Sequence, residues 1–396
     1  MIQISPETQL FIREHSSDDV RALALQAKKY PDIDMPTVIT QIAGRKVAAE
    51  KIPSWWEIEK IWYPKHLSLE QCSSEITARY KARLLQGDSL TDLTGGFGID
   101  CSFLATGFKS ATYVERQEEL CEIAAHNFPV LNLNHINIKN EDGVTYLQAM
   151  SPVDCLFLDP ARRNEHGGKT VAISDCEPNV AELEELLLQK ANRVMIKLSP
   201  MLDLSLALKE LKQTQEVHIL SVNNECKELL ILLGQTSPAE ISIHCVNLFT
   251  KGTQKEQHFV FTREQEQCSE CTYTDSLETY LYEPNASLLK AGAFRSIAAA
   301  YPVRKLHPNS HLYTSDTFIE NFPGRIFRIV NQCSFNKKEV KENLADLKKA
   351  NVTVRNFPAT VAELRKRIHL AEGGDTYLFA STLNNGQKVL IRCEKV

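Results

Sequence analysis

The sequence has no apolar run near the roughly 18–20 residues a membrane-spanning helix needs. The longest, Leu229 to Leu233, is strand-sized. The first fifteen residues, MIQISPETQLFIREH, lack a basic stretch followed by an apolar core, so no secretory leader is expected and the cytoplasm is the expected compartment. Internal repeats and low-complexity tracts are also missing, which excludes solenoids and disordered linkers. Eleven cysteines are scattered through apolar and helical contexts, and without a leader they read as reduced thiols, mostly buried. Only Cys268 and Cys271 stand at C-x-x-C spacing, and no second pair or histidine pair completes a four-ligand set. The plain reading there is a polar hairpin turn, and no metal is expected.

What remains is an ordinary globular composition of 396 residues, 43% hydrophobic and 24% charged, long enough for two to four domains. The net charge of −5 argues at first against a polyanionic partner. Its distribution does not. Residues 290–396 hold 18 basic and 9 acidic side chains, giving +9, and the preceding 289 residues stand at −14. Any polyanion contact is therefore expected in the C-terminal part. Candidate phosphate contacts are Arg295, Arg304, Lys305, Arg325 and Arg328, then Arg365, Lys366, Arg367, Lys388 and Arg392. The lysines of 337–349 alternate with acids at helical spacing and read as a solvated face.

Four stretches follow from the patterning. Residues 1–88 read as helical: Ser16-Ser17-Asp18-Asp19 caps a helix over 20–29, Pro36 opens another reaching Lys51, and Ser73-Ser74-Glu75 starts a third. Between the last two lies an aromatic group, Trp55, Trp56, Trp62 and Tyr63. It reads as a hydrophobic joint, with a base-stacking platform as the sharper alternative. Residues 89–240 alternate short apolar strands (90–93, 111–115, 135–138, 154–158, 193–198, 216–222, 228–234) with helices, the pattern of an α/β Rossmann-like sheet of seven strands. Residues 241–322 form a linking region, with a hairpin over 241–249 and 257–262 and a helix over 285–300. Residues 323–396 read β-α-β-α-β-β, a small α+β domain.

The strongest local signal is Leu90-Thr91-Asp92-Leu93-Thr94-Gly95-Gly96-Phe97-Gly98-Ile99-Asp100. A strand ends in an acid, and a glycine-rich turn leads into a helix, so backbone amides approach a ligand closely. A dinucleotide site wants a third glycine, but Cys101 stands there. S-adenosylmethionine, with an ammonium and a sulfonium, fits the acid at the loop entrance. The candidate cofactor residues are Asp92, Thr94, Gly95, Gly96, Phe97, Gly98 and Asp100. Glu115, beside Arg116, ends the second strand and can accept from ribose hydroxyls; Asp142 follows the third and can accept from an adenine amino group. The fourth strand ends Asp159-Pro160-Ala161-Arg162, at the sheet edge where such folds bind ligands. Asp159, Pro160 and Arg162 are the catalytic candidates. Asp159 can accept from a substrate amine, Pro160 stiffens the turn, and Arg162 can stack or grip a phosphate. No cysteine ends the fourth or fifth strand, which argues against a covalent C5 mechanism. His126, His135 and His166 read as packing or surface residues.

The loop at 92–100 with Asp-Pro-Ala-Arg at 159–162 resembles class I methyltransferases acting on RNA or DNA. Further stretches match one bacterial family, typical of Bacteroidetes: Gly44-Arg45-Lys46, Lys51-Ile52-Pro53-Ser54-Trp55, Leu69 to Glu75, Thr77-Ala78-Arg79-Tyr80-Lys81 and Tyr282-Glu283-Pro284-Asn285. The resemblance implies a helical N-terminal region, a Rossmann-like S-adenosylmethionine-binding core, a ferredoxin-like insert and a C-terminal THUMP-like domain. THUMP domains in related enzymes bind RNA, so tRNA or rRNA is the implied partner. With no cysteine placed for a covalent route, Asp159 fits base methylation at an exocyclic amine, guanine N2 or adenine N6 for example. One departure stands out: Ala161 and Arg162 replace the second proline and the aromatic that usually follow Asp-Pro in amine methyltransferases. The competing readings are a small-molecule or protein methyltransferase, a non-catalytic RNA-binding protein that keeps the fold, and an NAD-dependent oxidoreductase.

Overall fold

The computed structural model describes residues 4–162, 172–236 and 238–396. The chain divides into two compact units, residues 1–215 with 230–238, and residues 216–229 with 239–396.

The first unit opens with helices. Asp19 caps α1 (Val20–Leu25), accepting from the amides of Arg21 and Ala22 at 2.9 Å. The helix expected over 20–29 tightens into a 3-10 turn at Ala27–Lys29. Pro36 lies in the first turn of α2 (Met35–Lys51), where its missing N–H costs nothing. After α3 (Glu75–Ala82), parallel strands begin: β1 (Ser89–Asp92), β2 (Ser110–Glu115), β3 (Ile136–Asn140), β4 (Val153–Leu158) and β5 (Ala191–Leu198). They pair in the order β3-β2-β1-β4-β5. Val194, Met195 and Ile196 of β5 are fully buried, as a strand covered on both faces requires. The first five predicted strands are thus found within a residue or two. Helix α4 (Ile99–Ala105) follows β1, and α5 (Gly143–Ala149) follows β3.

The N-terminal helices are joined to this sheet through one apolar cluster that holds Ile52, Trp55, Tyr63, Leu69 and Ala78 together with Phe97, Ile99 and Phe103. Trp55 meets Phe97 edge-on at 5.2 Å. The aromatic group is therefore mainly a joint, although Trp56 is exposed, with Arg45 over its ring.

The second unit holds β6 (Thr214–Val222) from Glu216 onward and β7 (Glu225–Gly234) as far as Leu229; β6 pairs in parallel with β8 (Ser242–Leu248), and β8 runs antiparallel to β9 (Glu256–Thr262). The predicted hairpin over 241–262 thus continues from β6 and does not stand apart. The helix expected over 285–300 is broken. Gly292, at φ +78°, ends α6 (Ala286–Ala291), and α7 (Phe294–Ala300) starts afresh. A seven-stranded sheet follows, built from β10 (Tyr280–Pro284), β11 (Arg304–Lys305), β12 (Tyr313–Ser315), β13 (Gly324–Ser334), β14 (Lys349–Val354), β15 (Ala371–Thr382) and β16 (Lys388–Lys395). Its order is β11-β12-β10-β13-β16-β15-β14. Helices α8 (Lys337–Leu344) and α9 (Val361–Ile368) complete the expected β-α-β-α-β-β series. Among the described residues no helix is long and apolar enough to cross a membrane.

Candidate active site

The glycine loop is tied to the two strands that flank it. Thr94 N–H donates to Asp92 Oδ1 at 3.0 Å, Gly95 N–H to the Val114 carbonyl at 2.8 Å, and Gly96 N–H to Glu115 Oε2 at 2.9 Å. Tyr113 hydroxyl donates to the Gly96 carbonyl at 2.5 Å. Gly96 and Gly98 have φ of +54° and +86°, which glycine alone adopts without strain. Gly95 is required for another reason, since a Cβ there would stand 2.3 Å from the Tyr113 ring.

Asp92 is the decisive residue. It is 1% exposed, and its Oδ2 has no hydrogen-bond partner among the described residues. Burial pushes its carboxyl up to about 8, with Asp100, Asp159 and Glu115 adding to the effect and the Thr94 amide opposing it. A buried acceptor without a donor is costly. A cationic donor would satisfy it.

A second feature was not foreseen from the sequence. Two buried lysines lie beside the loop. Lys81, the penultimate residue of α3, is 0% exposed and its Nζ lies 2.8 Å from Asp100 Oδ1. Lys197, near the end of β5, reaches Asp159 Oδ2 at 2.5 Å and Asp100 Oδ2 at 3.4 Å. Both ammonium groups donate to Ser73 Oγ, at 2.7 and 3.1 Å, and Ser73 donates in turn to Asp100 Oδ2 at 2.7 Å. Burial opposes ionisation of Asp100, but Lys81 and Lys197 outweigh it and hold its carboxyl below the usual range. Burial raises Asp159, and Lys197 works against that rise. Lys197 was visible as a charge inside the apolar run Val194-Met195-Ile196-Lys197-Leu198. A lysine in a buried strand demands a counter-ion.

The expected site residues are placed as follows. Asp92, Thr94, Gly95, Gly96, Gly98, Glu115 and Asp159 come together around the ends of β1, β2 and β4, and Thr94 Oγ1 accepts the Asp159 amide at 2.6 Å. Glu115 is already held by two backbone amides, of Gly96 and Gln117, both at 2.9 Å. Asp142 caps α5, accepting from Val144 and Thr145. Arg116 is exposed, 3.6 Å from Glu177. Two of the expected cofactor residues have their side chains engaged within the protein. Phe97 is buried in the apolar cluster with Trp55 and Tyr63, where its ring fills the joint. Asp100 is committed to Lys81, Lys197 and Ser73, because only paired charges are tolerated at that depth. Pro160 follows Asp159 at the end of β4, and Arg162 lies in a two-residue strand against Cys176. Arg162's side chain, Arg163 and His166 lie outside the described residues. His126 and His135 meet the carbonyls of Lys60 and Ala105, as packing residues do.

Among the C-terminal basic candidates, Lys305 is corrected. It is 2% exposed, donates to the Pro308 carbonyl at 2.5 Å and lies over the Phe294 ring, so it is structural. Arg304 pairs with Glu278, Arg328 with Glu394, Arg392 with Asp346, and Arg325 with Glu283. Arg365 is largely covered and donates to the Ala350 carbonyl at 3.3 Å. Arg295 is exposed while donating to the Gln267 carbonyl at 2.9 Å, and Arg367 is exposed over the Phe335 ring at 4.1 Å.

The crystal structure of a "putative methyltransferase from Porphyromonas gingivalis W83" matches the chain at 34% identity and a TM-score of 0.87, covering all of both chains. This chain belongs to that family. Residues 280–323 match a ferredoxin-like domain family, and residues 324–395 match a THUMP domain-like family. An rRNA methylase from Streptococcus thermophilus is 14% identical at a TM-score of 0.29, over 40% of this chain and 93% of that one. A Streptococcus mutans "putative methyltransferase" in complex with SAH is 13% identical at 0.30, over 40% and 96%. Likenesses that distant carry no inference about function. Among curated proteins, none matches. The core is thus a methyltransferase fold of Rossmann-like type, followed by ferredoxin-like and THUMP-like stretches.

Proposed function

We propose that this protein is an S-adenosylmethionine-dependent methyltransferase acting on RNA (tRNA or rRNA) in the cytoplasm, at an exocyclic base amine such as guanine N2 or adenine N6. The observation that carries the cofactor is Asp92 Oδ2, a buried acceptor without a donor at the mouth of a glycine loop. The ammonium of the cofactor's methionine end is the donor it lacks. Glu115 would take the ribose hydroxyls on the lone pairs its two amide bonds leave open, and Asp142 would meet the adenine end beside its capping role. The cofactor supplies an electrophilic methyl group.

The protein's own contribution is position and charge. Lys197 fixes the Asp159 carboxylate at the end of β4, where it would accept a hydrogen bond from a substrate amine and the one proton released on methylation. No covalent intermediate is needed for an amine nucleophile. The RNA reading rests on the THUMP-like stretch and on the basic surplus of residues 290–396, with Arg295, Arg328, Lys366 and Arg367 among the exposed candidates.

The test is transfer of a labelled methyl group to bulk RNA from a strain lacking the gene. Label in one RNA size class, absent with Asp159→Ala, is the expected result. Cofactor binding with no label in any RNA class would move the substrate to a protein or small molecule.

A further inference from the structure

A second cluster lies in the other unit, on the strands β6, β8 and β9. Glu216 and His218 are two residues apart on β6, so they share a face. His244 on β8 is the register partner of His218, and His258 on β9 pairs with Val246, two residues along from His244. Sequence separation hid this group; only the sheet register assembles it. One ring nitrogen each of His218 and His244 and a Glu216 carboxylate oxygen all lie within 4.8 Å of one another. The His218 and His244 rings stack at 4.3 Å and 16°, and His244 and His258 stack at 5.3 Å. His218 Nε2 is 3.2 Å from Glu216 Oε2, and His244 Nδ1 is 3.1 Å from His258 Nε2.

Two ligand atoms on a tetrahedral ion at a metal–nitrogen distance of about 2.1 Å stand about 3.4 Å apart. The Glu216–His218 separation lies close to that value, and the three ligand atoms stay within 4.8 Å of one another. Imidazoles with one carboxylate suit ions of the zinc, cobalt and nickel class over magnesium or calcium.

We propose that Glu216, His218 and His244 bind a divalent transition-metal ion of the zinc class. The site is separate from the glycine loop and uses no cysteine. His218 is buried within β6 while Glu216 and His258 lie nearer the surface, which leaves an approach for the ion. Three ligands drawn from two paired strands would let the ion tie β6 and β8 together.

The experiment uses the full chain carrying Cys268→Ser and Cys271→Ser, which removes the one C-x-x-C pair as a rival ligand. Zn2+ alone is titrated by calorimetry and Co2+ alone by visible absorption. One equivalent of each is expected, the Co2+ spectrum lacking thiolate charge-transfer bands, and Zn2+ should raise the melting temperature. Glu216→Gln, at a half-buried position, should weaken binding ~10-fold or more, and His244→Asn should abolish it, with far-UV circular dichroism showing an intact fold. Substoichiometric binding in the Cys268→Ser, Cys271→Ser chain, thiolate bands in the Co2+ spectrum, or unchanged affinity in Glu216→Gln would each overturn the proposal.

Discussion

Lys197 Nζ stands 2.5 Å from Asp159 Oδ2, so the acid that ends β4 is held by the cation near the end of β5. The same ammonium reaches Asp100, and through Ser73 it shares a partner with Lys81. Replacing Lys197 with methionine takes the cation from Asp159 and leaves the buried Asp100 with Lys81 alone. Loss of one partner from a buried pair costs about 3 kcal/mol. Urea unfolding of Lys197→Met should show a loss of that order, with methyl transfer lost too. A change under about 0.5 kcal/mol would mean that the pairing contributes nothing.

Asp92 gives a pH dependence. Its folded value near 8 lies above the ordinary 3.8, so the folded state holds a proton that the unfolded state has released. Stability from this group therefore falls as pH rises from about 4 to about 8, then levels off. Thermal melts of the cofactor-free protein should show this slope, and Asp92→Asn should flatten it.

A cation bound beside Asp92 favours its ionised form. Binding of S-adenosylmethionine should therefore release a proton below about pH 8 and tighten as pH approaches that value. Calorimetry in buffers of different ionisation enthalpy reads the proton directly. Asp92→Asn should lose the proton release together with most of the affinity; equal release in the variant would place the proton elsewhere.

The two glycines of the loop should respond differently. Gly95→Ala drives a methyl into the Tyr113 ring, and overpacking of that kind costs about 1–3 kcal/mol. At Gly96 the nearest atom to an added Cβ is 3.8 Å away, so only backbone strain of about 1 kcal/mol remains. Denaturation of the two variants should rank Gly95→Ala as the worse.

Much of the first unit was legible because its signals are local. Strands of a buried sheet read as short apolar runs, and Asp92, Glu115 and Asp159 each end one. The two lysines escaped because their meaning depends on depth. Lys81 looks solvated in a helix with Arg79 and Arg83 nearby, and only tertiary packing buries it against Asp100. The packing of Phe97 is hidden for a related reason: inside the motif it looks like a cofactor contact, while its ring's apolar neighbours include residues from 48–78. In the second unit, β6 and β8 are joined by register that no local pattern encodes.

The C-terminal basic residues need separating by experiment. Arg295→Ala and Arg367→Ala should each weaken RNA binding and reduce the salt slope by about 0.7–0.9 per phosphate contact. Lys305→Met should leave that slope unchanged and cost about 1 kcal/mol of stability, because it loses a buried hydrogen bond. A matching salt effect at Lys305 would reverse its structural assignment.

The seven-stranded sheet has a consequence for how this architecture can be rearranged. Strand β10 lies in the ferredoxin-like stretch and β13 in the THUMP-like one, yet they pair from Tyr280↔Arg328 to Pro284↔Gly324. A cut at residue 324 would expose a raw strand edge on both pieces, an invitation to edge-to-edge association. The two stretches therefore travel as one cassette: a gene fusion that borrows the THUMP-like part must carry residues 280–323 with it, or supply another strand to seal the edge.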